Sequence, residues 1–238
     1  MTQPGSLHIE QNLARAGRGV FDVEQLQRRM RCGETPTLHG VQEYGMNSSP
    51  QRGAARPASP RLSPVSPITP EIDEILAGSI KSVNGEPLNL FGTMAHHPKL
   101  LKRFLAFGGF FLNRGLLPAR EREIVILRVG WNTGSIYEFG QHTVIGRDCG
   151  LGDDEIAALA GDPSRHAWSE RDRGLIAMTD EICDDDCVSG PTWKELRARW
   201  SDAELCELVL LVGMYRMVAG FLNTMGVELD PNTPGWPD

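Results

Sequence analysis

The sequence lacks features that would point to several common protein classes. Its 238 residues carry a net charge of −7, so it does not offer the basic surface that nucleic acid requires. No run of about 18 apolar residues indicates a membrane span, and the N-terminus lacks the basic-then-apolar layout of a secretory signal. The five cysteines are scattered, which is typical of a reducing cytosol. We therefore expect a soluble cytoplasmic protein that binds neither nucleic acid nor membrane.

Residues 1–68 differ in composition from the rest of the chain. They contain eight Arg, no Lys and five acidic residues, a balance of +3, and the stretch 47–70 holds six prolines. Such a segment buries too little apolar side chain to offset the entropy that is lost on ordering. We predict a disordered extension over 1–68. Docking of this Arg-rich tail on an acidic partner and a transit-like leader are the alternatives.

Helix patterns dominate the remainder, residues 69–238. Pro98 divides the apolar stretch 89–114 into two helices, and 202–225 is typical of a single helix that ends at Gly226. No stretch shows the two-residue alternation of a half-buried strand. We predict an all-α fold for this domain.

The segment 121–150 places proton-transfer groups at helical spacing beside an apolar wall. Pro118 starts a helix that contains Glu123 and the apolar stretch 124–129, which we expect to be buried on all sides. A break at Asn132-Thr133-Gly134 then allows the next helix to turn back along this one. Glu123 would in that case face the same pocket as the second helix.

Three polar residues of the second helix share one face. Ser135, Glu138 and His142 are separated by three, four and seven positions, which is the spacing of one helix face. A carboxylate one turn from an imidazole fixes the orientation of the ring. We predict that Glu138 orients His142 and that the pair transfers protons near neutral pH. The alternative is a surface Glu–His pair without function, which stabilises a helix by only about 0.2–0.5 kcal/mol.

Two segments of the chain carry a resemblance to a known family. LPAREREIVILRVGWNTGSIYEFGQH and LVLLVGMYRMVAGFLNTMGVELD resemble the carboxymuconolactone decarboxylase family, which shares its fold with alkyl hydroperoxidase D. The similarity covers about residues 70–230. It implies an all-helical subunit that assembles as a homo-trimer or homo-hexamer. The apolar stretch 104–112 and the C-terminal helix are the expected interface, because a monomer rarely exposes so much apolar surface.

The peroxidase branch of that superfamily differs from this chain at two positions. The branch has a redox Cys-x-x-Cys, with a Glu twelve residues before the first Cys and a His four residues after the second. Glu123 and His142 match the outer positions, whereas Ser135 and Glu138 stand where the cysteines would be. Peroxide reduction needs a thiolate and a resolving thiol. A thiol peroxidase or antioxidant protein is therefore the less favoured alternative.

The decarboxylase branch, which lacks the cysteine pair, implies acid–base chemistry. Loss of CO2 from a carboxylactone leaves electrons in the adjacent unsaturated system, so the enzyme must stabilise a dienolate and deliver one proton. We predict a lyase or isomerase that acts on a small unsaturated carboxylic acid or lactone. A non-enzymatic small-molecule binder is a further alternative. The assigned residues are His142, Glu138 and Glu123 as catalytic groups, and Tyr137, Trp131, Ser135 and Arg128 as substrate-binding groups.

The sequence indicates no metal and no organic cofactor. Adjacent His96 and His97 would point about 100° apart on a helix and have no evident third ligand. An anionic substrate needs a cation, for which Arg128, Arg147 and Arg216 are candidates. Each of them alone also fits an ion pair between helices.

Overall fold

A computed structural model describes residues 55–82 and 84–237 of the chain. Over these residues the chain forms nine α-helices and no β-strand, which confirms the all-α prediction. Most of the predicted N-terminal extension, residues 1–54, lies outside the described residues. The helices are α1 (Pro70–Leu76), α2 (Asn89–Met94), α3 (Pro98–Asn113), α4 (Ala119–Asn132), α5 (Ile136–Asp148), α6 (Asp153–Leu159), α7 (Glu170–Asp185), α8 (Gly190–Arg197) and α9 (Asp202–Met225).

Residues at the helix ends explain where the helices begin and stop. The backbone N–H of Ile72 donates to the Thr69 hydroxyl, which caps α1. Ser201 and Glu204 form a reciprocal capping box at the start of α9. Gly226 ends that helix with φ of 66°, a left-handed conformation that a residue without Cβ adopts readily. The predicted single helix over 202–225 is confirmed.

Helix α4 forms the centre of the fold. It packs against α5, α7 and α9, and the side chains of Ile124, Ile126 and Leu127 are fully buried. The expectation that the stretch 124–129 is buried on all sides is therefore confirmed. Burial of each such aliphatic side chain contributes about 1.5–3 kcal/mol, so this helix provides a rigid support for the polar side chains on its first turns.

The junction between α4 and α5 brings the two helices into close contact. Gly134 adopts φ of 61° in the turn, and the backbone N–H of Ser135 donates to the carbonyl of Gly130 at 2.8 Å. A Cβ on Gly130 would lie 3.1 Å from the backbone nitrogen of Phe139. The missing side chain therefore permits the close approach of α5 to α4.

Helix α9 is long and apolar enough to cross a membrane by length and composition. Its most apolar window has a mean hydropathy of 1.8, and 56% of that window is buried within the fold. A core helix of a soluble protein meets the same criterion. The sequence did not indicate this window, because the criterion applied there was an uninterrupted run of about 18 apolar residues. Mean hydropathy over a window can be high even when isolated polar residues interrupt the run.

The segment 55–68 packs against the helical domain without forming a helix. The N–H of Arg61 donates to the carbonyl of Met225 at 2.8 Å, and the N–H of Val65 donates to the carbonyl of Gly92 at 3.0 Å. The last part of the predicted extension thus follows the surface of the domain. Sequence composition does not reveal such contacts, because their acceptors are backbone carbonyls far along the chain.

Candidate functional site

A buried Glu–His pair connects α4 and α5. His142 Nδ1 lies 2.6 Å from Glu123 Oε2, and the Glu123 side chain is fully buried. Because a carboxylate only accepts hydrogen bonds, Nδ1 carries the proton and donates it. The other Glu123 oxygen accepts from Arg122 Nε at 2.9 Å. Burial alone would raise the pKa of Glu123, but the charges of His142 and Arg122 and their hydrogen bonds lower it below its ordinary value.

Glu138 does not orient His142, and that part of the prediction is wrong. Both Glu138 carboxyl oxygens are buried and have no hydrogen-bond partner among residues 55–82 and 84–237. Burial raises the pKa of Glu138 well above its ordinary value. The spacing of four residues places Glu138 one turn from His142 on α5. The His142 Nδ1 proton is nevertheless donated to Glu123 of α4.

Tyr215 of α9 completes the surroundings of His142. The two rings meet edge to face, with centroids 4.9 Å apart and planes at 87°. Burial raises the pKa of Tyr215 well above its ordinary value, and the charge of Glu123 raises it further. Tyr215 is therefore a neutral hydroxyl next to the imidazole.

Sequence reasoning missed both Arg122 and Tyr215. Arg122 is 8% exposed and donates Nη1 to the carbonyl of Leu112 at 3.3 Å in addition to its contact with Glu123. Its position directly before Glu123 was a usable indication of a charge partner. Tyr215 lies far along the chain in an apolar helix, and nothing in its local sequence indicates contact with His142.

Ser135 is placed at the start of α5 with its side chain turned inward. The residue is fully buried, and its hydroxyl makes no cap hydrogen bond and has no other partner in the described chain. It lies on the same helix as Glu138 and His142, at the predicted spacing. The three positions thus form one polar face within the fold.

The Tyr137 hydroxyl makes hydrogen bonds within the fold, and its predicted substrate-binding role stays a prediction. It is 3% exposed, its hydroxyl donates to the Asp230 carboxylate, and it accepts from the N–H of Leu90 at 3.3 Å. Burial and the hydrogen bond with Asp230 both raise the pKa of Tyr137. Its function in this structure is to fix the segment after α9 against α5.

Trp131 contacts the C-terminal segment. Its ring meets that of Trp236 edge to face, with centroids 5.3 Å apart, and Trp236 also packs on Phe139 at 5.1 Å. The predicted substrate-binding role of Trp131 stays a prediction. One side of the indole is already covered by Trp236.

Arg128 does not present a free cation to a substrate. Its Nε and Nη2 donate to the two carboxylate oxygens of Asp180 at 2.6 and 3.0 Å. Its Nη1 donates to the carbonyls of Leu159 and Gly161 at 3.0 and 2.9 Å. This fixed fork of donors joins α4 to α7 and to the loop after α6, and the assignment of Arg128 to substrate binding stays a prediction.

The other candidate cations also form ion pairs. Arg147 Nε lies 2.8 Å from an Asp153 oxygen, and both side chains are exposed. Arg216 pairs with Asp186 and donates to the carbonyl of Ile182. These contacts match the alternative in which each arginine joins two parts of the fold.

His96 and His97 have separate partners. His96 Nε2 lies 2.9 Å from the carbonyl of Ser63, whereas His97 Nδ1 accepts from the N–H of Leu100 at the start of α3. The two imidazole rings therefore contact different parts of the chain. Among the described residues, no group of three or more His, Cys, Asp or Glu side chains is arranged to hold a metal ion.

One family profile matches the part of the chain that holds the buried Glu–His pair. The profile of the carboxymuconolactone decarboxylase family matches residues 98–180, which includes Glu123, Glu138 and His142. Over this segment the chain is similar to the carboxymuconolactone decarboxylase family. No curated protein sequence matches the chain.

Several solved structures share the fold. A peroxidase-related protein from Silicibacter sp. superposes with a TM-score of 0.65 at 14% identity, and covers 74% of this chain and 96% of its own. The debrominase Bmp8 in complex with 2,3,4-tribromopyrrole gives 0.62 at 13% identity, over 73% and 94%. A protein of unknown function from Agrobacterium tumefaciens, connected to antioxidant defence protein AhpD, gives 0.54 at 18% identity, over 57% and 94%. At these identities the similarity concerns the fold alone.

Proposed function

We propose that the protein is a lyase of the decarboxylase type, or an isomerase, that acts by acid–base proton transfer on a small unsaturated carboxylic acid or lactone. The observation that carries the proposal is the arrangement of His142. Its Nδ1 is held by the buried Glu123 carboxylate, while Nε2 makes no hydrogen bond within the described chain. An imidazole fixed through one nitrogen and free at the other is suited to transfer a proton.

Decarboxylation by this route requires no external oxidant or reductant. The bond between the ring carbon and the substrate carboxylate breaks, and CO2 leaves. The electron pair stays in the conjugated system as a dienolate, and protonated His142 delivers the Nε2 proton to carbon. The negative charge of Glu123 stabilises the imidazolium before that transfer. His142 then takes a proton from solvent.

A thiol peroxidase is the weaker candidate on chemical grounds. Ser135 and Glu138 provide neither a thiolate nor a resolving thiol. Burial raises the pKa of Cys149, and the charge of Glu123 raises it further, so its reactive form is suppressed. Cys187 is exposed and lies beyond the end of α7.

A substrate panel tests the proposal. Unsaturated lactones and carboxylic acids are assayed for CO2 release and for isomerisation, with His142→Gln as the inactive variant. We expect loss of at least about 10²-fold in kcat, as is typical for removal of a general acid. Glu121→Gln, on the same helix as Glu123, is the matched control and should keep the wild-type rate. Equal rates for wild type and His142→Gln would favour a non-enzymatic binding protein.

We also propose that the protein is a homo-oligomer, either a trimer or a hexamer. Exposed apolar side chains line α3 and α9, with Phe107 47% and Phe110 44% exposed on the first, and Leu210 57% and Met217 55% on the second. A groove of about 500 Å³ next to α9 is also lined largely by apolar residues, including Trp193. Surfaces of this kind are typical of subunit contacts.

A further inference from the structure

The chain contains two Ser-x-x-Glu motifs at helix starts, and only one of them forms a capping box. At the start of α9, Glu204 Oε2 accepts from the N–H of Ser201 at 2.8 Å and from its hydroxyl at 2.7 Å. The N–H of Glu204 in turn donates to the Ser201 hydroxyl at 3.3 Å. This exposed pair satisfies its own hydrogen-bonding groups.

The same residue types at the start of α5 do not bond to each other. Ser135 and Glu138 occupy the N-cap and third positions, yet the Ser135 hydroxyl and both Glu138 oxygens are buried without a hydrogen-bond partner in the described chain. Instead, the Ser135 N–H donates to the carbonyl of Gly130. An unsatisfied buried polar group destabilises a fold, so the arrangement requires an explanation beyond folding.

Both side chains are hydrogen-bond donors in this environment. Burial raises the pKa of Glu138, so its carboxyl keeps a proton and can donate, as the Ser135 hydroxyl can. An N-cap side chain and the side chain three residues on can lie within hydrogen-bond distance of each other, as Ser201 and Glu204 do at 2.7 Å. Two donors at that separation can converge on a single oxygen atom.

The other charges near this point are balanced. The Glu123 carboxylate is paired with Arg122 and with His142. Because Glu138 is neutral, it does not repel an anion, whereas an ionised Glu138 would place a second negative charge in the cluster. The Tyr215 hydroxyl is also neutral. A ligand with one negative oxygen is therefore compatible with the cluster.

We infer that Ser135 and Glu138 form an oxyanion-binding subsite that takes the enolate or dienolate oxygen of an unsaturated carbonyl ligand. His142 lies one turn further along α5, in position to exchange a proton with a carbon atom of the same ligand. Preorganised donors aimed at a developing oxyanion are a large source of catalysis. A carboxylic acid kept neutral by an apolar site is known to serve as such a donor.

The catalytic part of this inference rests on the proposed function, but binding of the anion does not. The subsite atoms are closed to solvent, so a ligand reaches them only when the covering helices separate. Association should therefore be slower than for a preformed open site.

Titration with 4-nitrophenol tests the subsite directly. The bound phenolate presents one negative oxygen and is followed by its absorbance over a range of pH. We expect wild type to bind the phenolate in preference to the neutral phenol. Ser135→Ala and Glu138→Leu should each weaken phenolate binding by about tenfold or more, which corresponds to loss of one hydrogen bond to a charged group.

The second Ser-x-x-Glu motif provides the matched controls. Ser201→Ala and Glu204→Gln should leave phenolate binding unchanged, although Ser201→Ala loses the helix cap. Glu138→Gln keeps a buried hydrogen-bond donor of similar shape, so it should retain more phenolate affinity than Glu138→Leu. If Glu138→Leu does not fold, which circular dichroism would reveal, Glu138→Gln still tests the subsite.

Two results would overturn the inference while leaving the proposed function intact. One is the absence of phenolate binding to wild type, together with CO2 release by wild type that is lost in His142→Gln. The other is unchanged phenolate affinity in both Ser135→Ala and Glu138→Leu. The converse result, phenolate binding that depends on Ser135 and Glu138 in a protein inactive on every lactone and acid, would establish the subsite and reject the proposed reaction.

Discussion

His142 donates its Nδ1 proton to Glu123, nineteen residues earlier and on another helix, and not to Glu138, four residues earlier on its own helix. The two acids therefore differ in pairing and in the direction of their pKa shifts. Glu123 is charged and paired, and its pKa is lowered. Glu138 is unpaired, and its pKa is raised. Environments that separate two carboxyl groups in this way are typical of acid–base sites.

Glu123→Gln should reduce both activity and stability. The amide no longer selects the His142 tautomer with a proton on Nδ1, so kcat should decrease by at least about tenfold. It also leaves the buried Arg122 without a counter-charge, which should lower the free energy of unfolding by about 3 kcal/mol. Urea denaturation measures this change. Glu121→Gln, whose partner Arg171 lies at 3.4 Å in a partly exposed pair, should cost less than about 1 kcal/mol.

Glu138→Gln should stabilise the protein, and increasingly so as the pH rises. From the ordinary Glu pKa of 4.5 up to the raised folded value, the native chain holds a proton that the unfolded chain has released. Wild-type stability therefore falls by about 1.4 kcal/mol per pH unit in that window through this group. Thermal unfolding at about pH 5 and about pH 8 measures the difference between variant and wild type.

The control for the pH experiment is Glu204→Gln. The hydrogen bonds of Ser201 lower the pKa of Glu204, so this variant should be destabilised slightly and should not show the same rise with pH. A difference between Glu138→Gln and wild type that stays constant between the two pH values would contradict a raised pKa of Glu138.

Arg128→Met should destabilise the fold without changing substrate affinity. The variant removes the ion pair with Asp180, which keeps only its hydrogen bond from Asn132, and leaves two backbone carbonyls without their donor. The free energy of unfolding should therefore decrease by about 3 kcal/mol. The KM of the folded fraction should match wild type. Arg147→Met, which removes an exposed pair with Asp153, should cost less than about 1 kcal/mol. A KM that rises in Arg128→Met but not in Arg147→Met would show that Arg128 contributes to substrate binding.

Phe107→Glu combined with Phe110→Glu should dissociate the oligomer. Two charges on the exposed face of α3 would have to be desolvated in a subunit contact, which is strongly unfavourable. Light scattering should show a trimeric or hexameric mass for wild type and a lower mass for the double variant. Ile80→Glu, at an exposed apolar residue outside α3 and α9, is the control. A monomeric wild-type mass would reject the assembly.

The helices could be predicted because their determinants are local. Pro98 cannot continue a helix from the preceding turn, and Gly226 supplies the left-handed residue that ends α9. Arg128 is the only polar residue in the stretch 124–129, so burial of the stretch follows largely from composition. The same local patterns placed Ser135, Glu138 and His142 on one face of α5.

The sequence by itself thus determined an all-helical domain, a resemblance to one family and the short stretch that holds the proton-transfer groups. Only the tertiary structure decided which groups pair. It joined His142 to Glu123 and left Glu138 without a partner, and it committed Tyr137 and Arg128 to structural contacts. The physical reason is that helical spacing fixes only neighbours on one helix. Hydrogen bonds between helices depend on how closely and at what angle the helices pack.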